Sequence, residues 1–200
     1  EGSSLSVTMT NFTQALPALF LAHGNPMHAL DNNQYTRDWQ AMAAGITRPS
    51  AVLVLSAHWY TAGTWLCSSP RPKTIHDFSG FPQALFDVEY PAPGAPELAA
   101  DIAGQLPGAR LTDEWGLDHG SWSLLLHLFP AADIPVLQMS IDHQRNAAGH
   151  FELGKKLAYL RRQNVLVIGS GNIVHNIARW HKPAPSDEWA FSFDRQISNA

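Results

Sequence analysis

Residues 51–59 read Ala51-Val52-Leu53-Val54-Leu55-Ser56-Ala57-His58-Trp59. Five apolar residues run on without polar alternation before Ser56. A short run of this kind reads as a strand covered on both faces, the habit of parallel sheets. It also delivers an imidazole just past its end. The chain repeats the device twice. Pro17-Ala18-Leu19-Phe20-Leu21-Ala22 leads to His23, and Val165-Leu166-Val167-Ile168, then Gly169-Ser170-Gly171-Asn172, leads to His175. In open α/β sheets ligands bind outside the carboxyl ends of the strands. Three parallel strands would therefore aim His23, His58 and His175 into one crevice.

Outward from these runs the pattern alternates. Strands are expected at Ala18–Ala22, Ala51–Ser56, Pro135–Ile141 and Val165–Ile168. Helices are expected at Tyr35–Gly45, Glu97–Leu106, Trp122–Phe129 and Phe151–Arg161, where apolar residues recur at helical spacing. This predicts an α/β fold: a single domain with a mostly parallel central sheet covered by helices on both faces. The stretch from Ser68 to Gly94 is rich in Pro and Gly and breaks the rhythm, so it reads as a long structured loop. Long loops inside compact domains are often functional.

The 200 residues suit one domain, with 45% hydrophobic and 15% charged residues. Residues 1–16 read as a flexible extension or tag remnant, and 17–200 as the α/β domain. A net charge of -4 gives no reason to propose nucleic acid or an anionic membrane as partner. No apolar run is long enough to span a bilayer, and the N-terminus lacks the pattern of a signal peptide. The single cysteine, Cys67, excludes an internal disulfide framework and a Cys-rich zinc site. These features fit a cytoplasmic protein. Ten His and seven Trp are many for this length. Most of the Trp are expected in the core.

His119 lies in Gly116-Leu117-Asp118-His119-Gly120-Ser121-Trp122, just before a helix. It reads either as an acid–base group or as part of a helix start capped by Asp118 or Ser121. His76, His143 and His150 read as surface or loop residues, and His28, His127 and His181 have no assignment. Rival motifs fail. Gly169-Ser170-Gly171 lacks the third glycine of a dinucleotide loop, and Ser170 lacks the flanking glycines of a nucleophile elbow.

Five segments together resemble the class III (LigB-type) extradiol ring-cleavage dioxygenases, closest to their 4,5-DOPA branch. They are FLAHGNPMHAL, VLSAHWYTAGT, TIHDFSGFPQALFDVEYPAPG, EWGLDHGSW and GSGNIVHN, in the family's order between about residues 17 and 181. The resemblance implies His23 and His58 as metal ligands. It puts His175 at the metal centre, as ligand or acid–base, and His119 beside it, facing substrate or oxygen. His76 and Asp77 would belong to a loop near the pocket. Family members continue past Ala200 and carry a further metal-site residue there, often His. The resemblance thus implies a catalytic domain incomplete at its C-terminal end.

The implied cofactor is Fe(II), whose open positions suit a catechol chelate and O2, while Zn(2+) can occupy the same ligands. The implied partners are a small catechol and O2, with homo-oligomer formation left open. The implied reaction inserts both atoms of O2 into a DOPA-like catechol and opens the ring to a semialdehyde. Two other readings use the same residues: a zinc-dependent hydrolase that activates water, and a non-catalytic binding module.

Overall fold

The computed structural model describes residues 14–175 and 188–199. Among them, six strands form one sheet. They are β1 (Ala18–Leu21), β2 (Ala51–Thr61), β3 (Trp65–Cys67), β4 (Arg110–Thr112), β5 (Val136–Asp142) and β6 (Val165–Ser170). Their order across the sheet is β1-β6-β2-β5-β3-β4. β1, β6, β2 and β5 are parallel. β3 runs antiparallel to β5 and carries β4 parallel to itself. The α/β class with a mostly parallel sheet is as expected.

β2 shows why helices cover both faces. Its side chains alternate between the faces, and both faces are apolar. Val52 and Val54 pack with Trp39 of α1 (Gln34–Ala44) and with Leu124 and Leu125 of α4 (His119–Leu128). Leu53 packs on the other side with Ile102 of α3 (Pro96–Gln105) and Leu153 and Leu157 of α5 (Ala147–Leu157). Burying each such side chain contributes about 1.5–3 kcal/mol. α4 holds no Asp, Glu, Lys or Arg, and nearly all of it is buried.

The differences from expectation have local causes. β2 does not stop at Ser56 but continues to Thr61. β3 and β4 are three residues each, too short to show a period. α4 starts three residues before Trp122, because its first turn is the small, polar His119-Gly120-Ser121. α5 starts at Ala147, where the Asn146 side chain accepts the Gly149 N–H, and it gives way to a 3-10 turn after Leu157. The long loop carries a short helix, α2 (Gln83–Phe86). Trp122 Nε1 donates to Ile75 O, and Tyr90 OH donates to Phe129 O, so that loop is tied to α4 and to the residue that follows it. His181 lies outside the described residues, as does most of the segment read as an N-terminal extension. No helix among the described residues is long and apolar enough to cross a membrane.

Candidate metal centre

The site lies at the carboxyl ends of β1, β6 and β2. β2 pairs regularly with β5 as far as Leu55–Met139 and resumes at Tyr60–Ile141. Ser56 to Trp59 therefore stand opposite Ser140 alone. A bulge of this kind bends the strand and re-aims its side chains. Here it turns His58 towards β1. His58 is thus inside the strand, at an irregularity, rather than past its end. His23 follows β1 by two residues. Gly24, at φ +65°, takes the chain away in a conformation that L side chains avoid.

The two rings meet through Nε2, 3.0 Å apart. Their other nitrogens bias the tautomers. Ser170 Oγ donates its one proton to Gly120 O, so it accepts from His23 Nδ1 at 2.9 Å. His58 Nδ1 lies 3.3 Å from Asp77 Oδ2, a carboxylate oxygen that only accepts. These contacts favour the proton on Nδ1 of both rings, which leaves the two Nε2 lone pairs facing a common point, an arrangement that a cation between them satisfies.

Imidazole nitrogens bind zinc at about 2.0–2.1 Å, so two on one tetrahedral ion are about 3.3 Å apart, close to the 3.0 Å found here. The donor set fits a metal ion. Metal-bound histidines usually give their second N–H to a carboxylate or another oxygen, as both rings do here.

His119 completes the group. It is buried, and one ring nitrogen from each of His23, His58 and His119 lies within 4.8 Å of the others. Its ring contacts His58 at a centroid distance of 4.0 Å. Asp77 Oδ1 accepts from both His119 Nδ1, at 2.8 Å, and His119 N, at 3.0 Å. One carboxylate thus orients two imidazoles from different elements. Phe78 packs edge-on against His119 and touches Phe81 and Phe86, forming an aromatic wall.

Burial, helped by the charges of His58, His119 and His175, lowers the pKa of His23 from 6.5 to about 3. Burial and His119 lower that of His58 to about 4, against the pull of Asp77. Both are neutral near pH 7, the form a metal requires. Burial alone would raise the Asp77 pKa, but the hydrogen bonds from His119 hold it below its usual value. Beneath the site Asp118 is wholly buried, and burial raises it to about 6 despite hydrogen bonds from Ser56 and Gln138.

Residues 15–200 match the family described as the catalytic LigB subunit of aromatic ring-opening dioxygenase. The chain belongs to the LigB family. It is 48% identical to the 4,5-DOPA dioxygenase extradiol of Escherichia coli (strain K12) over 187 residues, covering 91% of this chain and 69% of that one. It is 37% identical to the enzyme of the same name from Portulaca grandiflora, over 92% of this chain and 71% of that one. The crystal structure of an uncharacterized Escherichia coli K12 protein superimposes with a TM-score of 0.77 at 43% identity, covering 92% of this chain and 72% of that one. LigB-family membership makes the chain a metal-dependent ring-opening dioxygenase.

Within this LigB chain, the sequence-derived histidines fall as follows. His23, His58 and His119 converge. His175 is exposed and outside that group, yet near enough for its charge to lower the pKa of both His23 and His58. It lines a groove with Ile173, Val174 and Trp189. Asp77 does sit at the site. His76 lies in the long loop as expected and is half-buried there, its Nε2 donating to Val88 O at 2.9 Å. The roles of Ser170 and Asp77 as partners of the rings have no signal in local spacing, because each partner is far away in sequence.

The lowered histidine pKa values predict acid sensitivity of the metal-free protein. Below pH 6.5 the unfolded chain binds protons at both histidines, whereas the folded chain does not until about pH 4 and then 3. The unfolded state then holds more protons, so stability falls as pH falls through this window. Above pH 6.5 the two rings contribute no slope. Urea unfolding of chelated protein between pH 7.5 and 4.5 measures this, and His23→Asn should flatten the curve. An equally steep curve in that variant would contradict the assignment.

Proposed function

We propose that this chain is an extradiol dioxygenase for DOPA-like catechols, with His23 and His58 holding its metal. The observation that carries this reading is the approach of His23 Nε2 and His58 Nε2 to 3.0 Å, with an oxygen behind each ring at Nδ1. The names of the relatives supply the substrate class. Iron(II) at these ligands supplies open positions for catechol and dioxygen and a path for electrons between them, which redox-inert zinc does not.

The chain's own residues do the rest. Asp77 and Ser170 hold the two rings in the tautomer that leaves Nε2 free. The Phe78 wall gives an apolar aromatic surface against which a catechol ring packs. A catechol must lose protons on binding, and the opened product must regain them. His175, exposed beside the cluster, and His119, with Nδ1 bound to Asp77, are the imidazoles placed to move them. His175 is also free to join His23 and His58 as a ligand. The cytoplasm is the proposed compartment.

The test is oxygen uptake after anaerobic reconstitution with iron(II), on mixing with L-DOPA and air. One O2 consumed per catechol, with a yellow ring-opened product and no turnover in zinc-loaded protein, is the expected result. Turnover without oxygen in zinc-loaded protein would replace this reading with hydrolysis. His175→Ala separates the two roles of that residue. Loss of turnover at unchanged metal affinity marks an acid–base group, and loss of both marks a ligand.

A further inference from the structure

α4 begins with an anomaly. Asp118 occupies its N-cap position, where aspartate normally accepts a backbone N–H from its own first turn, but its side chain makes no capping hydrogen bond. The carboxylate turns inward instead and is completely buried. Oδ1 accepts from Ser56 Oγ at 2.7 Å, and Oδ2 accepts from Gln138 Nε2. Gln138 cannot turn its amide over, because Oε1 already accepts from Asp118 N at 3.1 Å and Ser121 Oγ at 2.7 Å. The N–H of His119 is satisfied by Asp77. A buried carboxylate is costly unless fully hydrogen-bonded, and this one also forgoes a helix cap. Helix stability alone does not explain the arrangement.

Ser56 does. It is the first residue after the last regular β2–β5 pair, so it stands where the bulge begins. Its Oγ also accepts the His58 N–H at 3.2 Å. The contact runs from β5 through Asp118 to the turn of backbone that aims His58. Gly120 lets it close: a Cβ there would stand 2.6 Å from Ser56 Oγ and 3.0 Å from His58 Cδ2.

We propose that Asp118 is a positioning residue for the metal-binding ring of His58, clamping the β2 bulge through Ser56 while Gln138 holds the carboxylate in place. This rests on the metal reading above for its function, though the clamp itself does not require a metal.

The test uses zinc(II) alone as probe, titrated in competition with a chromophoric chelator. Ser56→Ala and Asp118→Asn should each weaken binding about 10- to 100-fold, the usual effect of losing an outer partner of a metal site. Asp118→Asn sets an amide N–H against the Gln138 amide. Adding Gln138→Glu lets the introduced asparagine donate to the new carboxylate and keeps its oxygen for Ser56, so the double variant should regain most of the loss. In the metal-free chain, the His58 Nδ1 proton should exchange faster with water in Ser56→Ala than in the unsubstituted chain, as read by NMR. Unchanged zinc affinity and unchanged exchange in Ser56→Ala would overturn the proposal. So would a folded double variant binding no more tightly than Asp118→Asn. If the unsubstituted chain binds no zinc, the metal reading fails, and proton exchange alone decides the clamp. If Asp118→Asn does not fold, Ser56→Ala carries both readouts.

Discussion

His58→Ala is expected to weaken metal binding by roughly two to three orders of magnitude and to abolish ring opening at micromolar metal. A zinc site built from a few protein ligands is worth about 10–16 kcal/mol, so one ligand carries roughly 3–4 kcal/mol, and each 1.4 kcal/mol is tenfold. The stability of the chelated protein should fall by much less than the metal binding. The His58 side chain is 26% exposed, so truncation loses packing only on its buried part. That divergence is the diagnostic. A residue that merely supports the fold loses stability and metal together, whereas a ligand loses metal with a much smaller fall in stability. Chelator competition and urea unfolding on the same preparation separate the cases, and a large fall in stability with unchanged affinity would remove His58 from the centre.

The strand cores and the aim of His23 and His58 were legible because a doubly covered parallel strand is an unbroken apolar run, and the residue after such a run lies at the edge where ligands bind. The bulge was not legible. Ala57, Trp59 and Tyr60 continue a strand-like composition, and nothing local reports that four residues of β2 face one of β5. β3 and β4 were invisible for lack of length, which concealed the antiparallel edge of the sheet.

Within the site the difficulty was distance along the chain. Ser170 lies 147 residues from His23, and Asp77 lies 42 from His119. Topology makes these contacts. β1 pairs with β6 as far as Leu21–Ser170, which brings Ser170 beneath His23. The alternative for Asp118, a plain helix cap, was a sound expectation from its position. It fails because Gln138 and Ser56 compete for the same carboxylate.

Asp77→Asn is expected to match or exceed the loss in His58→Ala, though it alters no ligand and hardly any volume. Asp77 accepts two hydrogen bonds at Oδ1 from His119, and its Oδ2 lies 3.3 Å from His58 Nδ1. An asparagine keeps one acceptor. The two donors of His119 claim it, so the amide nitrogen must face His58 Nδ1. A donor there forces His58 into the other tautomer, with its proton on Nε2, pointing at His23 and occupying the place of the metal. The analogous exchange in serine proteases, where the buried aspartate behind the catalytic histidine becomes asparagine, lowers turnover about 10⁴-fold through the wrong tautomer. A loss of about 10³–10⁴ in kcat/KM is expected here, with metal affinity falling alongside it. Asp77→Ala, which removes the carboxylate without presenting a donor to His58, leaves that ring free to take either tautomer. It should therefore bind metal more tightly than Asp77→Asn, although it removes more atoms. NMR of the imidazole nitrogens in the metal-free variants reads the tautomer directly. An Asp77→Asn protein whose His58 still carries its proton on Nδ1 would show that the carboxylate sets neither the tautomer nor the metal site.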